Sequence, residues 1–367
     1  MKYYFTSEVK QVLDKAEIVK NLARKKFVTS FILALIESRK VQFSELAHHL
    51  NDEVKVSSNE VRIQDFFREV DLDYQAVALL LAMFLPQGKV TLCIDRTEWD
   101  FGQCQVNILM IVARSGSVHI PLCWELLDNK SGNSATDDRI HLLAQCITLL
   151  GKERIGMVVA DREFIGHRWL KYLKDNDILF CIRLPKSHRI IRLDGREQQA
   201  EALVSQQPGE LILQDCLVDG LWGHVYLKSL SNGDILFLFG TVRAEYLGQL
   251  YRKRWTIEQC FQNLKKRGFD LESTHLQDLY KLKKLLAFLS LAYGFCLSMG
   301  HYYHQKVQPI KVKNHGYKAN SFFRYGLDVI RRGLHKDWRY QVEVFQRLVQ
   351  RFLRWINLMI DYRQVAT

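Results

Sequence analysis

The chain has 367 residues, 48% of them hydrophobic and 25% charged, which excludes a disordered, collagen-like or low-complexity protein and leaves room for roughly two to three cored domains. Its formal charge of +12 has the sign of a protein that meets nucleic acid or an anionic surface. From Arg243 to Thr367 there are 23 basic and 9 acidic residues, against 29 and 31 before them, so the whole surplus lies in the last third, as a polyanion groove built mainly by one region requires.

The amino terminus, MKYYFTSEVKQ, lacks the apolar core of a signal peptide. From Glu8 to about Leu85, apolar residues such as Val12, Leu13, Ala16 and Val19, then Phe27, Phe31 and Leu35, recur at three- and four-residue intervals, the period of helices. Ser44 is the expected cap of SELAHHL, and Ser57 or Ser58 that of NEVRIQDFFREV. Residues 27–70 suit a small helix-turn-helix module, and an ordinary helical bundle suits them equally well.

At Lys89 the texture changes to strands. KVTLCID, QVNILMIVA and VHIPLCWEL are joined by turns rich in Gly, Ser and Asn, which predicts an antiparallel meander. A helix from about Thr136 to Leu150, the apolar strand GMVVAD and a helix through Trp169 and Leu173 follow. Three strands, helix, strand, helix is the opening order of a ribonuclease-H-like fold.

Between about Ile178 and Val242 five strand-like segments separated by Gly, Asn, Asp and Pro predict an inserted β subdomain. After Ala244 the chain is helical, with a basic loop from Val307 to Asn320. Leu285 to Gln305 carries no formal charge, but it ends in His301, Tyr302, Tyr303 and His304 and reads as a buried helix rather than a membrane span. A last helix over about 338–362 places Arg347, Arg351 and Arg354 opposite an apolar set. Eight scattered cysteines without C-x-x-C or zinc spacing read as reduced core thiols of a cytoplasmic protein.

The expected architecture is therefore α/β: a helical domain over 1–86, a ribonuclease-H-like core over 87–177 and 243–300, the β insertion over 178–242, and a basic helical region over 301–367.

Asp95 and Asp161 each close a predicted strand, where side chains from distant sequence converge. In LYRKRWTIEQCFQNLKK, residues Tyr251, Arg254, Glu258 and Lys265 fall on a helical stripe about 60° wide and about 21 Å long. Three carboxylates, Asp95, Asp161 and Glu258, are a suitable oxygen set for two hard divalent cations that act on a phosphodiester. Arg254 and Lys265 would grip phosphates, and Tyr251 would add a hydroxyl contact or a stacking face. Glu98, Asp100 and Glu163 are the competing carboxylates, Glu163 being assigned an ion pair with Arg162 or a neighbouring base.

Tyr251, Arg254, Glu258 and Lys265 match the Tyr-x2-Arg-x3-Glu-x6-Lys signature, and the chain thereby resembles DDE transposases of the insertion-sequence-four type. Ile94 to Trp99 looks like that family's first Asp motif, and Ala160 to Phe164 like its second. The resemblance implies Asp95, Asp161 and Glu258 as catalytic metal ligands. It implies Mg²⁺, as two ions with Mn²⁺ as a substitute, and double-stranded DNA at terminal inverted repeats and at a target. It further implies a homodimer on DNA, cut-and-paste movement, and a flipped base for which Trp255, Tyr251 and Trp99 are candidate contacts, core packing being the ordinary role of either Trp. A related nuclease or resolvase without strand transfer, and a non-catalytic DNA-binding descendant, are the competing readings.

Overall fold

The computed structural model describes residues 2–101, 104–127, 132–203, 209–314 and 316–335, with 343, 346, 347 and 350 beyond them. The chain divides into two compact units, Met1–Pro86 with Phe261–Thr367, and Gln87–Cys260.

The first unit begins with α1 (Lys2–Ala16), α2 (Leu22–Ser38), α3 (Phe43–Leu50), α4 (Val56–Glu69) and α5 (Tyr74–Met83). Asn21 caps α2 by accepting from the backbone N–H of Ala23 at 2.8 Å. The serine caps expected for the next two helices are not used. Helix α3 starts at Phe43 with Gln42 at its cap, and α4 starts at Val56 with Lys55 there. The buried side chain of Asn59 in α4 instead closes the end of α3, donating to the carbonyls of Ala47 (3.0 Å) and Asn51 (2.8 Å).

The second unit opens with β1 (Val90–Phe101), β2 (Cys104–Ser115) and β3 (Val118–Leu126), the expected meander. It continues through α6 (Thr136–Leu150), β4 (Ile155–Ala160), α7 (His167–Asp175) and β5 (Phe180–Arg183). Strand β4 lies parallel to β1, with Ile94 opposite Ala160, and β5 lies parallel to β4. Then come β6 (Arg189–Ile191), β7 (Glu197–Gln199), β8 (Glu210–Val218), β9 (Leu221–Ser229) and β10 (Ile235–Gly240).

One sheet contains all ten strands, in the order 3-2-1-4-5-10-9-8-6-7. The strands expected to form an inserted subdomain thus extend the central sheet, and β5 itself is an inner parallel strand. Its residues Phe180, Cys181 and Ile182 are fully buried, as a strand flanked on both edges and covered on both faces demands. The result is an α/β architecture with a mixed central sheet, preceded and followed in sequence by helices, consistent with a ribonuclease-H-like fold.

Helix α8 (Ala244–Tyr251) returns across the sheet, packing Ala244, Leu247 and Tyr251 on Met157, Val159, Cys181, Tyr226 and Leu238. A 3₁₀ turn at Arg252–Arg254 leads into α9 (Trp255–Gln262), which is followed by a π-helical turn at Asn263–Arg267.

Helices α10 (Leu279–Lys306) and α11 (Phe322–His335) complete the first unit. Its core includes the rings of Phe27, Phe31, Phe66, Phe67 and Phe288. By length and composition α10 could cross a membrane, yet its most apolar stretch is 89% buried, and it packs on α2, α5 and α11. It is the buried helix the sequence predicts. The last expected helix, over 338–362, lies almost wholly outside the described residues, as do Arg351 and Arg354, whereas Arg347 pairs with Glu343 at 3.8 Å.

Candidate active site

Alternation along β1 sends Thr91, Cys93 and Asp95 to one face of the sheet. All three meet the 3₁₀ turn after α8. Lys253 Nζ donates to Thr91 Oγ1 (3.3 Å), Cys93 Sγ donates to the Lys253 carbonyl (3.3 Å), and an Arg254 guanidinium nitrogen donates to Asp95 Oδ2 (3.0 Å). Beside them, Arg114 of β2 donates to Thr256 Oγ1 at 3.0 Å and fixes the start of α9.

Asp95 does not close its strand as expected, because β1 runs on to Phe101 against β2. What ends there is the pairing with β4, whose last register is Ile94 with Ala160. Asp95 therefore emerges where the neighbouring strand stops. Asp161 follows the end of β4 directly, and a turn closed by Phe164 N–H to the Asp161 carbonyl (3.0 Å) carries the chain away. Each aspartate accepts the backbone N–H of the next residue, Arg96 or Arg162, at 2.8 Å. Both carboxylates thus leave adjacent parallel strands at one edge.

Arg254 joins the set. The nitrogen that binds Asp95 lies 4.0 Å from Asp161 Oδ2, and the other terminal nitrogen donates to Glu258 Oε1, one helical turn on. Its side chain is only 13% exposed. Tyr251, buried beneath it, donates its hydroxyl to Asp161 Oδ1 at 3.1 Å, and its ring lies 5.6 Å from the guanidinium carbon. Four of the residues singled out in the sequence, with Tyr251 as the support, therefore meet at one point. Carboxylate repulsion would drive Glu258 away from the aspartates, but Arg254 keeps it there.

Burial pushes the Asp95 carboxyl up to about 6; Arg254 and the Arg96 N–H oppose the rise, while Asp161 and Glu163 add to it. Burial likewise raises the Tyr251 phenol, keeping it a donor. Desolvation works against the Arg254 charge, but Tyr251, Asp95, Asp161 and Glu258 together hold it above its ordinary value.

Other sequence expectations come out differently. Tyr251 offers no open stacking face. The uniform helical stripe does not exist, since the segment passes from α through 3₁₀ to α and then π geometry. Lys265 sits in the π turn, paired with Glu272 at 2.6 Å and 15% exposed. Trp99 is buried, but Trp255 is 61% exposed and has no core role.

The sequence did not single out Arg96. It binds Glu98 (2.5 Å), Glu163 (3.3 Å) and Asn107 Oδ1 (3.1 Å), and Glu163 also accepts from Ser134 Oγ (3.2 Å). The usable signal was phase: Arg96 and Glu98 are one residue out of step with Asp95 and take the other face of β1. Glu163 is thus held by Arg96 and not by its neighbour Arg162.

A family model described as the transposase DDE domain matches residues 87–295. The chain belongs to the DDE transposase family. No curated protein matches it. Family members carry out nuclease-like chemistry on DNA and typically use divalent metal ions. The donor set of this DDE transposase, three carboxylates with hard oxygen ligands, has the right chemistry for such ions. Among the described residues, however, no three metal-ligating side chains are drawn close enough together to hold one, and the cation that gathers them is Arg254.

Proposed function

We propose that the protein is a metal-dependent DNA transposase of the insertion-sequence-four type, with a ribonuclease-H-like core. In this reading it cuts at terminal inverted repeats and joins the element to target DNA in the cytoplasm, as a homodimer on the DNA. The observation that carries the reading is that Arg254 contacts Asp95 and Asp161, which leave neighbouring parallel strands, and Glu258 of α9, all within one signature-bearing site. Asp95, Asp161 and Glu258 would hold two Mg²⁺ ions, or Mn²⁺ in their place, which supply Lewis-acid activation of the attacking oxygen and stabilise the leaving one.

The chain's own residues prepare that site. Tyr251 fixes the rotamer of Asp161, the Arg96 and Arg162 amides orient the two aspartates, and Arg254 supplies charge for a phosphate. Exposed Trp255, next to Arg254, is the stronger receiver for a flipped base. Lys265 must exchange Glu272 for a phosphate if it is to touch DNA. The test is a strand-transfer assay with the element's own ends and Mg²⁺. Joined products support transposition, and cleavage without joining would leave a nuclease of the same core.

Two outcomes follow from the geometry. Tyr251→Phe removes one hydrogen bond to a carboxylate, worth about 1.5–3 kcal/mol of stability, so the melting temperature should fall by about 5–10 °C, and end cleavage measured well below it should fall roughly tenfold or more as Asp161 loses that support. Cleavage should also depend on pH. Because the Asp95 value is raised to about 6, the carboxyl keeps its proton below that pH and cannot serve a cation. At subsaturating Mg²⁺ the rate should then drop about tenfold per unit below pH 6 and level off above it, while end binding measured in the same buffers without metal ion stays constant.

A further inference from the structure

We propose that Arg254 is an exchangeable internal counter-ion: in the metal-free protein its guanidinium gathers Asp95, Asp161 and Glu258, and a divalent cation entering that cluster displaces it, releasing the same side chain to meet a DNA phosphate. The inference rests on the metal-site reading above and adds a coupling between the two ligands.

Three observations support it. Arg254 stands inside the cluster, with contacts to all three carboxylates through two nitrogens. Its third nitrogen, Nε, is buried and has no hydrogen-bond partner. A permanent buried ion pair would have that donor satisfied, since an unmet buried donor is costly. The pairing is therefore incomplete as a structural bridge. Finally, three carboxylates against one guanidinium leave two negative charges uncompensated, and a divalent ion in the guanidinium's place leaves only one. Neighbouring Arg96 is engaged by Glu98 and Glu163 and is no alternative counter-ion.

The local backbone permits the exchange. Arg254 ends a single 3₁₀ turn before α9, a geometry common at hinges. By linkage, metal must then favour DNA binding and DNA must favour metal binding by the same factor.

Isothermal calorimetry of the full chain with Mn²⁺ and no DNA tests the exchange without reference to activity. With its competitor removed, Arg254→Gln should bind Mn²⁺ at least about tenfold more tightly than wild type, in the usual range of coupling energies, and Arg254→Lys should fall between. Equal or weaker binding by Arg254→Gln would overturn the exchange and make the arginine a fixed organiser of the ligands. The control is Asp161→Asn. If it abolishes Mn²⁺ binding while Arg254→Gln fails to tighten it, the exchange alone is wrong. Should Mn²⁺ binding ignore Asp161→Asn, the metal-site reading is wrong and the exchange falls with it. An intact-protein measurement covers a glutamine variant that does not fold: the Arg254 Nε–H resonance, assigned by its loss in Arg254→Lys, should shift on addition of Mg²⁺, and an unmoved resonance at saturation overturns the exchange.

Discussion

Asp95→Asn, Asp161→Asn and Glu258→Gln should each lower transposon-end cleavage by at least about a thousandfold, which corresponds to about 4 kcal/mol of lost transition-state stabilisation. Each swap removes a ligand charge and preserves shape, so circular dichroism and end binding measured without metal ion should remain close to wild type. The structure adds a reason to expect a folded Asp95→Asn protein. A raised value for a buried acid means that the fold already resists its ionisation; that cost is absent below the unfolded value near 4 and fully present above about 6. Removing the charge relieves it at neutral pH, and Arg254 retains Asp161 and Glu258 as partners. A variant that cleaves within about tenfold of wild type would remove that residue from the reacting centre.

The meander, α6 and β4 were legible because apolar patterning and short turns act locally. The far half of β1 was not, since Asp95, Arg96, Glu98 and Asp100 look like a solvated turn. Only the pairing of Glu98 with Asn107 and of Trp99 with Val106 makes that stretch a strand, and pairing is a long-range property. That Asp95, Asp161 and Glu258 come within reach of one another's partner, Arg254, was readable from residue type and position. Which anion Arg254 meets was not, because a guanidinium suits a phosphate and a carboxylate alike, and the choice depends on how near the strand ends come. The helical stripe failed for a different reason: a wheel drawn at a constant angle per residue has no means of registering a 3₁₀ turn at one end and a π turn at the other. Lys265, at the π turn, is the residue whose position the wheel describes worst.

Gly326→Ala should destabilise the protein by about 3 kcal/mol, although alanine is the better helix former by about 1 kcal/mol on an open helix face. Helices α10 and α11 touch through their backbones. A Cβ built on Gly326 would lie 1.8 Å from the Cys296 carbonyl oxygen, and one on Gly300 would lie 1.8 Å from the Phe322 carbonyl oxygen. Neither obstacle is a side-chain end that can swing aside, so the helices must separate. Separation loosens Tyr293 from Phe323, whose stacked rings are 4.7 Å apart, and His301 from Phe322, at 3.7 Å. At the size of this unit such a loss lowers the melting temperature by about 10 °C. Gly300→Ala should cost a similar amount. The double variant should cost clearly less than the sum, because once one methyl has pushed the helices apart the second finds room already made. Thermal melts of the four proteins measure both effects, and a Gly326→Ala protein more stable than wild type, as helix propensity by itself dictates, would show that the two backbones do not approach this closely.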